Sequence, residues 1–330
     1  MPTQNSITDV VNIKVGHAQN INALTGCTVV LTEKGAVAGI SQRGGAPGTR
    51  ETDLLKPNHL VEKVHAIFLS GGSAFGLDGA GGVMKYLEEK KVGYKTGAAF
   101  VPIVPAAILF DLAIGDASIR PDADMGYLAC QNASQDKPLE GNAGAGTGAT
   151  VGKVFGMQSA MKSGIGTSSR EIGGGVVIGA IAAVNAFGDV LDYHDRRIIA
   201  GARAHQPLSP ANHDIHFANT LDVLGSMIGR GIMTFASKQN TIIGVIATNA
   251  KLDKPGANKF AECAADGITL TVQPAFSMFD GDTVFGLSTG SKKIDLNILC
   301  AYAPLVFADA ILNAVRMAEP AGGLPAANNK

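Results

Sequence analysis

The chain has 330 residues, of which 46% are hydrophobic and 17% charged, and its formal net charge is −1. That balance excludes an intrinsically disordered polymer and gives no electrostatic reason to expect nucleic acid or a membrane surface as partner. Cys27, Cys130, Cys263 and Cys300 stand far apart with no Cys-x-x-Cys pair, so buried thiols are expected, with neither a zinc site nor a disulfide framework.

The first residues carry no basic segment followed by an apolar run, which points to a cytoplasmic protein. Apolar runs at 29–31 and 36–40 around Glu33-Lys34-Gly35 predict a hairpin. Residues 43–50 are polar and glycine-rich and read as loop. A buried strand is expected at 64–69, a glycine turn at 70–76, and a helix from about 77 to 90. Free N–H groups at such a helix start are a common ligand site. The apolar runs near 100–110 and 173–184 are too short to span a membrane and read as core, the second as a strand at 176–184 stopping at Asn185. The stretch 205–216, with Pro207 and Pro210, reads as an exposed linker. A helical pattern follows at 221–235 and a strongly β-prone strand at 241–248. A helix is expected at 259–273, a strand at 284–287 after Asp280-Gly281-Asp282, and a terminal helix at 301–319. Helices and strands alternating with hairpins predict a mixed, layered α/β architecture.

Two glycine patterns imitate nucleotide sites. Gly144-Ala-Gly-Thr-Gly-Ala149 follows polar residues instead of a strand, and Gly152-Lys153 is followed by Val154 where a phosphate loop needs Ser or Thr. His213 and His216 lie in a proline-flanked loop, and no His-Glu-x-x-His is present. No cofactor and no metal are expected.

By local pattern, Asn240-Thr241 is a strand start and nothing more. Five longer motifs change its meaning: Arg43-Gly-Gly-Ala-Pro-Gly-Thr-Arg-Glu-Thr-Asp-Leu-Leu55, Leu69-Ser-Gly-Gly-Ser-Ala-Phe-Gly-Leu-Asp78, Gly141-Asn-Ala-Gly-Ala-Gly-Thr-Gly-Ala-Thr-Val-Gly-Lys153, Asn240-Thr241, and Met278-Phe-Asp-Gly-Asp-Thr-Val-Phe285. With them, in this order, the chain resembles the DmpA-type autoprocessing aminopeptidases. Their relatives include β-peptidyl aminopeptidases and the NylC-type nylon-oligomer hydrolases. The resemblance implies one catalytic domain over residues 1–330. Its fold would be a four-layer α/β/β/α sandwich, of the type shared with ornithine acetyltransferase and N-terminal-nucleophile-like. Self-cleavage would give chains 1–240 and 241–330, joined in a homo-oligomer, tetramers of αβ units being common in the family.

The resemblance makes Thr241 the nucleophile and, through its freed α-amine, its own base, a chemistry that needs no histidine. It places Lys153 beside the nucleophile, to lower the amine's pKa or orient the hydroxyl. It gives Asn185 the role of oxyanion donor, and Asp280 and Asp282 that of holding the ammonium of Thr241 or Lys153. Two apart on an extended segment, those aspartates share a face. Aminopeptidase members can carry Glu and Tyr where this chain has Ile108 and Phe110, so strict recognition of a free N-terminal amine is not expected. The expected activity is aminopeptidase or amidase action on small peptides or ω-amino-acid oligomers, with a NylC-like endo-acting hydrolase as the alternative. An ornithine-acetyltransferase-like acyltransferase and a non-cleaving ligand-binding relative are further rivals, since fold does not fix chemistry.

Overall fold

The structure, a computed structural model, describes residues 4–204, 216–226 and 240–328. Its strands are β1 (Lys14–Asn20), β2 (Thr25–Gln42), β3 (Thr49–Arg50), β4 (Lys63–Ser70), β5 (Tyr94–Lys95), β6 (Phe100–Val101), β7 (Ala106–Ile108), β8 (Thr150–Val151), β9 (Met161–Lys162), β10 (Ile165–Glu171), β11 (Val177–Asn185), β12 (Asp189–Leu191), β13 (Ile198–Ala200), β14 (Thr241–Ala250), β15 (Val272–Gln273) and β16 (Thr283–Lys292). The helices are α1 (Gly79–Glu89), α2 (Ala123–Gln131), α3 (Thr220–Gly225), α4 (Lys254–Thr271) and α5 (Leu296–Arg316).

One nine-stranded sheet runs β10-β11-β14-β16-β2-β4-β7-β3, with β1 added to β2. It is mixed: β14 pairs parallel with β16 and β4 with β7, while β11–β14, β16–β2 and β2–β4 are antiparallel. The period-2 alternation of its strands sorts their side chains into three cores. Val29, Leu31 and Phe68 pack with Val83 and Leu87 of α1 and with Cys130 of α2. Val30, Ile67 and Leu69 face Ile181, Ile243, Val245 and Phe285, sheet against sheet. Ile178, Val184, Ile242 and Ile246 pack against Phe260 of α4 and Phe307 and Ile311 of α5. The order is therefore helix, strand, strand, helix, and the two strand layers are halves of one folded-over sheet. The expected four layers are present in this form.

Strand β2 makes the fold-over possible, and it corrects the expected hairpin. Its first part lies between β1 and β4, and residues 37–42 pair with β16. Glu33-Lys34-Gly35 sits in an irregularity between Leu31 and Ala36, but both flanks pair with β4 in one direction. The residues that looked like a turn are therefore a bulge in a continuous strand, and bulges bend the strand that carries them.

Helix α4 starts five residues before the expected boundary, where the Asp253 side chain accepts from Gly256 N–H at 2.8 Å and Pro255 occupies the first turn. Helix α5 likewise starts and ends before the expected 301–319, capped by Asp295. By length and composition it is apolar enough to cross a membrane, but its buried face is part of the core against α4, β10 and β11. Cys27 and Cys130 are buried as expected, whereas Cys263 and Cys300, on α4 and α5, are half-buried. Of the pattern at 221–235, α3 covers the described part. The rest of it, with most of the expected linker and His213, lies outside the described residues.

Candidate active site

Thr241 opens β14 and Asn185 closes β11, and the two are direct cross-strand partners. A run rich in β-branched residues makes β14, a central strand between β11 and β16. Both side chains are buried, Thr241 at 4% exposure and Asn185 at 0%. Lys153 ends the glycine-rich segment that starts at Gly141, whose backbone is pinned by Gly152 N–H to Gly188 O (3.0 Å) and Lys153 N–H to Phe187 O (2.9 Å). Its Nζ donates to Asn185 Oδ1 at 2.7 Å and Asn185 O at 3.1 Å. Thr150 N–H and Oγ1 donate to the same Oδ1, at 3.1 and 3.2 Å, which fixes the amide's orientation. Asn185 Nδ2 donates to Phe110 O at 2.9 Å.

The acidic loop closes the other side. Asn240 and Asp280 form a parallel bridge, and Gly281 N–H donates to Asn240 O at 2.9 Å. The Thr241 hydroxyl donates to the same carbonyl oxygen. A Cβ on Gly281 would stand 2.8 Å from Thr241 Oγ1 and 2.7 Å from Ala46 O, so only glycine fits beneath the hydroxyl. Asp282 accepts from Ile242 N–H at 2.7 Å and Phe276 N–H at 3.2 Å, and Asp280 accepts from Ser277 N–H at 2.7 Å. The first glycine motif is strapped to this loop through Ala46 N–H to Asp280 O (2.9 Å), Gly45 N–H to Ser277 O (3.1 Å) and Arg43 N–H to Asp282 O (3.2 Å). The Arg43 guanidinium also lies over the Phe276 ring at 4.1 Å.

Burial sets the electrostatics, because taking an ion from water disfavours its charge. It pulls the Lys153 ammonium down to about 7, against the opposing charges of Asp280 and Asp111. It pushes Asp282 up to about 7, helped by the negative charge of Asp280 and resisted by the two N–H groups on its carboxylate. Asp280 is raised by burial too, with Ser277 and Lys153 opposing. An amine and a carboxyl that both titrate near neutrality, beside a buried hydroxyl, are equipped for proton transfer. Among the described residues no group of three or more His, Cys, Asp or Glu is arranged to hold a metal.

The structure thus brings together Thr241, Asn240, Asn185, Lys153, Asp280 and Asp282. It also adds residues that sequence reasoning missed. Beside Lys153 and Phe110, the residues Asp111, Ala113, Ile114, Gly148, Thr150 and Met157 line a narrow cleft. Ile108 is buried against Gly48, while Phe110 presents its carbonyl to Asn185. Asp111 and Thr150 carried no local signal of their own. Their only mark was membership of, or adjacency to, the segments quoted above.

Residues 5–328 match peptidase family S58. An uncharacterised aminopeptidase of Mycobacterium bovis is 39% identical over 97% of this chain and 96% of its own. A 6-aminohexanoate-oligomer endohydrolase of Kocuria sp. is 28% identical over 93% of this chain and 85% of its own. Among solved structures, the L-aminopeptidase D-Ala-esterase/amidase of Ochrobactrum anthropi superposes with a TM-score of 0.71 at 19% identity, covering 97% of this chain and 88% of that one. A Burkholderia sp. β-aminopeptidase gives 0.65 at 20% identity, covering 96% and 87%. The Ochrobactrum enzyme has a variant of the Ntn-hydrolase fold, and this chain shares that fold. Matched from residue 5 to residue 328, the chain belongs to peptidase family S58 and is a hydrolase of peptide or amide bonds.

Proposed function

We propose that the chain cuts itself between Asn240 and Thr241, and that Thr241, freed as an N-terminus, hydrolyses amides of small peptides or ω-amino-acid oligomers through an acyl-enzyme. One observation carries this reading: the Thr241 hydroxyl and Gly281 N–H converge on the carbonyl oxygen of Asn240. In self-cleavage the hydroxyl attacks the Asn240 carbonyl carbon, and the oxyanion forms where Gly281 N–H already points. The C–N bond breaks, the amine of Thr241 takes a proton, and water hydrolyses the remaining ester to leave an Asn240 carboxylate.

In the mature enzyme the α-amine, with an ordinary pKa of about 8, takes the hydroxyl's proton as Thr241 attacks a substrate carbonyl. The amine leaving group departs protonated, and water returns the acyl group as an acid. Lys153, held opposite Thr241 by Asn185, lowers the α-amine's pKa through its charge and orients the hydroxyl. Asp280 and Asp282 hold the new ammonium. Asn185 acts as an oxyanion donor when Nδ2 exchanges Phe110 O for the acyl oxygen. The apolar Ile108 and Phe110 favour an endo-acting or broad amidase over an enzyme that demands a free N-terminal amine.

Denaturing electrophoresis with N-terminal sequencing tests the cleavage. Two bands, the smaller starting at Thr241, and a single band for Thr241→Ala are expected. A Thr241→Ala chain that still hydrolyses amides at the parent rate would sink the proposal. Aminoacyl nitroanilides against blocked and cyclic amides, compared on the mature enzyme, decide between exo- and endo-action.

A further inference from the structure

Asp111 lies outside the roles assigned so far, yet three separate parts of the chain close around it. Its Oδ1 accepts from Gly72 N–H at 2.7 Å, and its Oδ2 accepts from the Thr25 hydroxyl at 2.7 Å. A Cβ on Gly71 would lie 2.0 Å from Oδ2, and one on Gly148 would lie 2.6 Å from Asp111 Cβ. The glycine turn after β4 and the glycine cluster that carries Thr150 and Lys153 therefore both need glycine where they touch this one side chain. Lys162, with no exposure, braces the second of them: its Nζ donates to Gly146 O and Ala149 O, each at 3.0 Å, and to Ser163 O. Asp111, Gly148, Thr150 and Lys153 then line the same cleft.

We propose that Asp111 is a positioning residue of this site: its carboxylate draws the two glycine segments together and, from within the cleft, sets the place and charge of Lys153. The proposal rests on the reading of Lys153 as a partner of Thr241. The charged groups facing Lys153 are Asp280 from the acidic loop and Asp111 from the segment after β7. Lys162, on β9, also interacts electrostatically with Asp111. Asp111 is thus one of two anions that favour the charged form of Lys153, against the desolvation that burial imposes.

The test uses Asp111→Asn, which keeps the shape and removes the charge. Lysine Cε resonances, titrated by NMR in the uncleaved Thr241→Ala chain, report Lys153 directly, assigned with Lys153→Met. The Lys153 midpoint is expected to fall by about one pH unit, and amide hydrolysis by the otherwise native Asp111→Asn enzyme to fall about 10-fold at neutral pH. A midpoint that does not move overturns the proposal, even with a lowered rate, because a merely structural side chain lowers rate alone. A moved midpoint with an unchanged rate overturns it too. Should Asp111→Asn not fold, Thr25→Val removes one hydrogen bond that keeps the carboxylate charged. The same downward movement is then expected, and its absence is equally decisive. The titration needs no catalysis, so it stands apart from any failure of Thr241 as nucleophile.

Discussion

At the scale of single residues the site turns on how closely backbone approaches a hydroxyl. Gly281 offers its N–H to Asn240 O and leaves no room for a side chain below Thr241. In Gly281→Ala the new methyl meets Thr241 Oγ1 and Ala46 O inside van der Waals contact, so either the hydroxyl or the N–H must move. Misplacing one oxyanion donor costs on the order of 10²–10³ in rate. Self-cleavage of Gly281→Ala is therefore expected to slow by about 10²-fold, followed as the appearance of the 241–330 chain by mass spectrometry. Processing at the parent rate would show that this N–H has no part in the reaction. None of this was legible from Asp-Gly-Asp as a string, which reads as an ordinary turn. Only the closing of that turn onto Asn240 gives its glycine a role.

At the scale of elements, helix α4 rests on two glycines. Gly39 of β2 and Gly286 of β16 are cross-strand partners. A Cβ on Gly39 would come within 2.2 Å of Asn258 N, and one on Gly286 within 2.5 Å of Ala257 O. The helix backbone lies directly on the sheet there, so Gly39→Ala must lift it, an overpacking cost of about 1–3 kcal/mol. Gly81 in α1 has nothing within 4 Å of its Cβ position. Gly81→Ala should stabilise by up to about 1 kcal/mol. Urea unfolding of both variants in the uncleaved Thr241→Ala background checks the contrast, and equal effects would contradict it. This also explains which elements could be read in advance. The strands β4, β11, β14 and β16 announced themselves as near-continuous apolar runs, because each buries both faces over most of its length. The start of α4 was missed although Asp253 and Pro255 are a cap and a first-turn proline, because the apolar period begins only later. Strand β2 read as a hairpin because a bulge uses the same residues as a turn, and only pairing with β4 on both sides distinguishes them. The site residues Lys153, Asn185, Asp280 and Asp282 were legible only through resemblance, since each alone is a loop or strand-end residue. Asp111 stood beside Phe110 with no signal of its own, because its partners come from distant segments.

For the molecule as a whole, the buried ionisable groups make stability depend on pH in a direction that can be worked out. Lys153 and Lys162 are both pulled by burial from 10.5 to about 7. Between about pH 7 and 10.5 the unfolded chain therefore binds more protons than the native one, and stability rises with pH. Buried Cys130, and Cys300 beside Cys263, are pushed from 9.0 to about 12, and buried Cys27 is raised as well. Above pH 9 the unfolded thiols lose protons that the native thiols keep, and stability falls. Asp282, raised from 3.8 to about 7, makes the native state bind the extra proton between those values, so its contribution declines as pH rises towards 7. The uncleaved Thr241→Ala chain should accordingly gain stability from pH 7 to 9 and lose it beyond. Each lysine would contribute about 1 kcal/mol per pH unit on the rising side. Lys162→Met isolates one of them. Its loss leaves three carbonyls without their donor and lowers stability at every pH, so the slope and not the height is the readout. Urea midpoints at pH 7, 8 and 9 should rise less steeply in Lys162→Met than in its parent. Parallel lines would mean that Lys162 keeps its proton throughout, with its ammonium stabilised by those carbonyls and by Asp111 enough to offset the whole cost of leaving water.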